Sequence, residues 1–167
     1  MKKRIEKMVM DVAANDDPRC NNKKFVVNGR FFVTDGTRIL EFYDDGIDNL
    51  EIRSNIDLDK KIDGLLEEDY ISFDLPSIDC IKSNIRSLCG RKLDRVVYKN
   101  DLFAINARFL YKAMEALNAK TCYFCKRNSK RNPVFIFEND DITSINKIAI
   151  YPVLCCDYSG AEFCVAN

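Results

Sequence analysis

Eight cysteines are candidate zinc ligands and nucleophiles in this chain, which contains no histidine. The missing histidine excludes Ser-His-Asp and Cys-His catalysis and every metal site with an imidazole ligand. Cys122 and Cys125 have the C-x-x-C spacing of zinc sites, and Cys155-Cys156 could supply further thiolates. A strong zinc signal needs two C-x-x-C pairs. Cys122 and Cys125 lie in a strand-like run, where a separation of three positions directs their side chains to opposite faces. We expect these thiols to be buried or incidental, with a zinc or thiol protein that uses Cys122 and Cys125 as an alternative.

The carboxylates do not form a catalytic pattern. They occur as neighbours at Asp44-Asp45, Glu67-Glu68-Asp69 and Asp140-Asp141, which is typical of solvated turns. The six glycines are scattered and form no phosphate-binding loop. The sequence therefore predicts a protein that is not an enzyme and uses no cofactor and no metal.

Charge is distributed by segment although the whole chain is neutral, with 26 basic and 26 acidic side chains. Residues 1–30 have a net charge of +4, residues 31–75 of −9, residues 76–137 of +9 and residues 138–167 of −4. A net charge of zero excludes a strong attraction of the whole molecule to nucleic acid. The segments themselves are not neutral, so charge is allotted by segment along the chain.

Three amphipathic helices alternate with short strands along the 167 residues. Apolar side chains recur every three or four residues in the segments that begin at Ile5, Ile78 and Leu110, and basic side chains lie on the outer faces. Asn28-Gly29 and Asp35-Gly36 are strong hairpin turns between strand-like runs. The pattern predicts an α+β domain of antiparallel sheets with amphipathic helices packed on one side.

The basic start of the chain reaches Asp11 before an apolar signal-peptide core can form. The longest uncharged apolar run, Ile148 to Cys156, is too short to cross a bilayer as a helix. We therefore expect a cytoplasmic protein with reduced thiols and no membrane contact.

Three stretches resemble the bacterial DNA sliding clamp, the polymerase III beta subunit. Residues 28–40 (NGRFFVTDGTRIL), preceded by a helix and Asp17-Pro18-Arg19, are similar to the helix, "LNG" strand and "ATDGHRL" turn of the clamp's middle domain. Residues 73–81 (FDLPSIDCI) resemble its strand-Pro-helix segment. Residues 103–117 (FAINARFLYKAMEAL), with the strands that end in Tyr151-Pro152-Val153, look like the clamp's last half-domain.

The resemblance implies a clamp-like domain over residues 1–154 and an extension over residues 155–167. A bacterial clamp chain has three such domains, whereas this chain has the length of about one. Residues 53–100 are then either an insertion in that domain or a remnant of a second half-domain. Thr37 and Tyr151 replace the clamp's histidine and its first terminal methionine.

The resemblance also implies two binding surfaces. In bacterial clamps the matching elements line a pocket for short apolar motifs of replication proteins, and basic helices face duplex DNA. The pocket residues that match here are Thr34, Gly36, Thr37, Arg38, Ile39, Pro76, Tyr151, Pro152 and Val153, with Arg38 expected at the rim. The DNA-facing residues that match are Lys2, Lys3, Arg4, Lys7, Lys82, Arg86, Arg108 and Lys112.

The expected function is thus a DNA-replication accessory or a binder of clamp-type peptide motifs. DNA contact by one domain would be weak, non-specific and salt-dependent, and a homo-oligomer would be needed to surround a duplex. A stand-alone protein-interaction domain with no DNA role is a further alternative.

Overall fold

The structure is a computed structural model that describes residues 2–54, 60, 62–63, 70–88, 96–125, 132–153, 160 and 162–165. Its helices are α1 (Lys3–Ala13), α2 (Ile78–Leu88) and α3 (Ala107–Leu117). Its strands are β1 (Lys23–Val27), β2 (Arg30–Thr34), β3 (Arg38–Phe42), β4 (Glu51–Arg53), β5 (Tyr70–Asp74), β6 (Val96–Lys99), β7 (Ala104–Asn106), β8 (Thr121–Cys125), β9 (Val134–Phe137), β10 (Lys147–Ile150) and β11 (Glu162–Val165).

The strands form two sheets. Eight strands pair in the order β4-β1-β2-β3-β10-β9-β8-β5, and three pair in the order β11-β6-β7. All pairings are antiparallel except that of β1 with β4, which is parallel. The predicted α+β class is confirmed, and the parallel pairing of β1 with β4 makes the large sheet a mixed one.

Side chains along each strand point alternately to the two faces of the large sheet, and both faces carry apolar side chains. On one face Leu40, Ile136 and Ile148 belong to the main core, which also contains the buried residues of all three helices. On the other face Phe32 and Phe135 belong to a smaller apolar cluster. Successive strand residues point to opposite sides of a sheet, so both clusters follow from one backbone arrangement. The helices therefore pack on one side of the sheet, as predicted.

Local sequence sets the ends of these elements. Asn28 (φ 51°) and Gly29 (φ 77°) form the tight turn between β1 and β2, where a positive φ is required. The Asn106 side chain caps α3 by accepting hydrogen bonds from the backbone N–H groups of Arg108 and Phe109 at 2.9 and 3.3 Å. Asn118 ends the same helix in the left-handed conformation.

None of the described helices is long and apolar enough to cross a membrane.

Candidate nucleic-acid interface and peptide-binding corner

The three helices form one layer with α3 in the middle. Helix α3 contacts α1 on one side and α2 on the other, and it also contacts β9 and β10. The structure therefore brings together helices that are far apart in the sequence. Seven of the eight predicted DNA-facing residues lie on these helices, and Lys2 immediately precedes α1.

Part of the positive charge on this helix layer is paired with carboxylates. Lys82 Nζ lies 3.0 Å from Glu115 Oε1, and Lys112 forms an ion pair with Asp11. Lys2 pairs with Glu138 at the start of α1. These pairs join neighbouring elements and reduce the charge that is left for a phosphate backbone.

A second group of cations on the layer has no carboxylate partner among the residues with described positions. Lys3, Lys7 and Arg86 are exposed, and none has an ion pair within the described part of the chain. Arg4, also exposed, donates to the Glu115 carbonyl at 3.3 Å and has no ion pair within the described ranges. Arg108 is half-buried and has a partner of its own. The cations that can meet phosphates are thus Lys3, Arg4, Lys7 and Arg86.

A groove of about 370 Å³ lies between α1 and α3. Arg4, Lys7 and Lys112 line it together with the carboxylates of Asp11 and Glu115. Mixed charge along the groove favours a modest electrostatic attraction over a tight anion site.

Eight of the nine predicted pocket residues lie at one corner of the large sheet. The β2–β3 turn places Thr34, Gly36 and Thr37 beside the chain that continues from β10, and the Tyr151 N–H donates to the Thr37 carbonyl at 2.9 Å. Val153 is tied to the small sheet, because its N–H donates to the Ala104 carbonyl at 2.8 Å. The exposed or half-buried members of this corner are Gly36, Thr37, Tyr151, Pro152 and Val153.

Arg38 does not lie at a rim, which corrects the prediction from the sequence. Its side chain is 5% exposed and forms ion pairs with Asp35 at 2.7 Å and with Asp11 at 2.9 Å. Its guanidinium lies 4.0 Å from the centre of the Phe109 ring. Arg38 thus joins β3 to α1 and α3 in the interior, and it is not available to a partner peptide.

The charge of Asp11 is maintained by the same contacts. Burial disfavours its ionised form, but hydrogen bonds from Lys112 and Arg38 together outweigh burial and lower the pKa of Asp11. Asp11 therefore stays ionised and links Arg38 to the helix layer.

Pro76 is not brought to this corner. It follows β5, which is the outermost strand at the far side of the sheet from β3. The antiparallel pairings also show that β5 ends at the bottom of the sheet if Thr34 and Tyr151 lie at its top, that is, at the other end of the strands. The strand-Pro-helix segment therefore contributes nothing to the corner.

The apolar side of the corner is filled by the chain itself. Ile39, Ala149 and Tyr151 belong to the smaller apolar cluster or pack against it, and Ile62 of the same cluster is only 1% exposed. The neighbouring Asp63 accepts a hydrogen bond from Arg30 at 2.6 Å. A peptide that enters this cluster must displace Ile62.

The thiols do not form a metal site among the residues that the structure describes. No group of three or more Cys, Asp or Glu side chains is placed there to hold an ion. Cys122 lies in the main core, and burial raises the pKa of its thiol to about 12. The Cys125 side chain and Cys155-Cys156 lie outside the described residues.

Sequence reasoning missed the partners that define both sites. Asp11 and Phe109 contact Arg38 from 27 and 71 positions away, and Ile62 comes from an acidic stretch without a clear pattern. Asp11 follows Lys7 at helical spacing, but nothing local signals its long-range contacts. The pairing of β11 with β6 was also unforeseen, because four residues are too short for a periodic signal.

Comparisons with known proteins give a limited result. No protein-family model matches the chain, and no curated protein matches it. Among solved structures, the chain is similar to the H. pylori beta clamp in complex with 5-chloroisatin, at 14% sequence identity and a TM-score of 0.35. The match covers 74% of this chain and 43% of the clamp chain, so this chain spans less than half of that clamp's length. A TM-score this low does not establish a shared fold.

Proposed function

We propose that this chain is a cytoplasmic, non-catalytic, clamp-like protein that contacts duplex DNA through the outer surface of its three helices. The observation that supports the proposal is the layer itself: α1, α3 and α2 lie side by side on one face of the sheet, and each contributes basic side chains. Phosphates attract such a surface without regard to base sequence. The expected role is that of a DNA-replication accessory.

The paired charges set the expected strength of this contact. Lys82 and Lys112 are neutralised by carboxylates, whereas Lys3, Lys7 and Arg86 have no ion pair with any residue that the structure describes. With Arg4 this leaves about four cations for phosphates, so binding should be weak and should disappear as salt is added.

Fluorescence anisotropy with a labelled duplex at low salt tests the proposal. The variant with Lys3→Gln, Lys7→Gln and Arg86→Gln should bind at least about tenfold more weakly than the wild type, because three phosphate contacts are lost. Arg53→Gln is the matched control, since Arg53 is an exposed cation on β4, away from the helices. Equal affinities of the triple variant and the control would contradict the DNA role.

A second function, the binding of short apolar motifs of replication proteins, is favoured by the corner at the β2–β3 turn. Tyr151, Pro152 and Val153 present a partly exposed apolar surface there, held in place by the hydrogen bond from Tyr151 to Thr37. Ile62 occupies the adjoining apolar cluster, so a peptide must compete with it.

Titration of a labelled apolar clamp-binding peptide tests this second function. Tyr151→Ala should weaken binding, Ile62→Ala should strengthen it by removing the competitor, and Pro76→Ala should leave it unchanged. Pro76 is the control because it follows β5, the outermost strand of the sheet, and lies far from the corner formed by the β2–β3 turn. The absence of saturable binding, or a Tyr151→Ala effect no larger than that of Pro76→Ala, would rule the corner out.

Two alternatives predict other outcomes in these experiments. A stand-alone protein-interaction domain would bind the peptide but not the duplex. A zinc or thiol protein that uses Cys122 and Cys125 would copurify with near-stoichiometric zinc in elemental analysis. The burial and raised pKa of Cys122 disfavour the zinc alternative.

A further inference from the structure

The last described strand fills the edge of the small sheet. β11 pairs antiparallel with β6, with Glu162 opposite Lys99 and Phe163 opposite Tyr98. The Lys99 Nζ lies 2.7 Å from Glu162 Oε1, and the Tyr98 and Phe163 rings are 5.1 Å apart between their centres. These contacts make the β6 edge a binding site for a strand that carries a carboxylate followed by an aromatic ring.

This strand is held mainly by its own edge pairing. Within the described part of the chain its main contacts are with β6 and α2, and β6 is its only neighbour in the small sheet. Just before the strand, the Gly160 N–H donates to Asp101 Oδ1 at 2.8 Å. Glu162 and Val165 are exposed, and Phe163 and Cys164 are only half-buried. A short edge strand with so little buried surface belongs to the part of a fold that opens most readily.

The connection to β11 is longer than pairing within one copy requires. Val153 lies beside β7 and β11 lies beyond β6, so the connection spans about three strand spacings, or about 14 Å. Nine residue steps lead from Val153 to Glu162, and an extended chain of that length reaches about 30 Å. The excess length allows the same strand to reach the β6 edge of another molecule.

We propose that Glu162–Val165 is an exchangeable strand and that two copies of the chain form a two-fold dimer by placing each β11 on the β6 edge of the other. A second copy is the occupant that this edge fits, because it carries the same carboxylate and aromatic ring in the same register. Exchange preserves every contact of the strand, which makes it a low-cost route to a dimer. The length of the connection sets the balance between the two pairings. Pairing within one copy across so short a tether corresponds to an effective concentration in the millimolar range, so exchange between copies of the wild-type chain needs a concentration near 1 mM.

Shortening the connection is the direct test. Deletion of residues 154–159 leaves three residue steps between Val153 and Glu162, a reach of about 10 Å that is too short for the span of about 14 Å. This variant should elute at twice the mass of a matched control in which the same six residues are replaced by a Gly/Ser segment of equal length. A folded variant that stays monomeric while its β11 remains paired would overturn the proposal.

A measurement on the wild-type chain decides the question even if the deletion variant does not fold. Unlabelled and ¹⁵N-labelled chains are mixed in equal amounts at about 1 mM and treated with a carbodiimide, which joins the Lys99 amine to the Glu162 carboxylate as an amide. If strands exchange between copies, up to half of the Lys99–Glu162 cross-links will carry mixed labels, and this fraction will fall on dilution. Glu162→Gln is the control that removes the cross-link. A mixed-label fraction of zero at 1 mM among the Lys99–Glu162 cross-links would contradict strand exchange.

Discussion

Replacement of Arg38 by alanine should destabilise the fold and should not act as a binding mutation. The guanidinium is 5% exposed, lies between Asp35 and Asp11, and covers the Phe109 ring at 4.0 Å. Its removal leaves the Asp35 carboxylate, which is 9% exposed, without its cation in the interior.

The size of the loss follows from these contacts. Removal of one partner of a buried ion pair costs about 3–5 kcal/mol. The lower end applies here, because the side chain of Asp11 is 32% exposed and keeps Lys112 as a partner. The lost contact with Phe109 adds about 1 kcal/mol. We expect a total near 4 kcal/mol, which would lower Tm by roughly 10 °C in a domain of this size.

Urea unfolding followed by circular dichroism measures the effect. The control is Arg53→Ala, which breaks an exposed ion pair with Glu51 and should change the free energy of unfolding by less than about 0.5 kcal/mol. If Arg38→Ala lost less than about 1 kcal/mol, Arg38 could not be the buried link between β3 and the helices.

Three further predictions concern acid stability, thiol reactivity and a helix cap. The pKa of Asp11 is lowered in the folded state, so the stability that its carboxylate contributes is present above its ordinary pKa of about 3.9 and is lost as the pH falls through the folded value. In urea titrations below about pH 5, the free energy of unfolding should therefore fall less steeply with decreasing pH for Asp11→Asn than for the wild type. Cys80 is exposed and should be alkylated rapidly, whereas the buried Cys122, with a pKa of about 12, should react only on unfolding, as mass spectrometry of the labelled peptides would show. Asn106→Ala should cost about 1 kcal/mol in urea unfolding through the lost cap of α3, and Asn106→Asp should retain most of that stability. The first prediction is refuted if stability falls with pH equally in Asp11→Asn and the wild type. The second is refuted if Cys80 and Cys122 are alkylated at the same rate in the folded protein. The third is refuted if Asn106→Ala leaves the urea midpoint unchanged.

The elements that the sequence could predict are those specified by local signals. The hairpins at Asn28-Gly29 and Asp35-Gly36 follow from turn residues that tolerate positive φ, and the three helices follow from apolar spacing. The same local rules place the basic side chains on the outer helix faces.

The features that the sequence could not predict depend on long-range contacts. The parallel pairing of β4 with β1 and the pairing of β11 with β6 involve short strands whose partners no local pattern specifies. The resemblance to the sliding clamp predicts Arg38 at the rim of a pocket. Its burial depends on Asp11 and Phe109, which tertiary packing alone brings to it.

The salt dependence of duplex binding tests the proposed DNA contact most directly. Four cations of the helix layer, Lys3, Arg4, Lys7 and Arg86, lack a carboxylate partner among the described residues, so log Kobs plotted against log salt concentration should have a slope of about −3.6. In the variant with Lys3, Lys7 and Arg86 replaced by glutamine the slope should fall to about −1. A slope that is the same in both proteins, or no detectable binding at low salt, would contradict the assignment of the helix layer as the DNA-contacting surface.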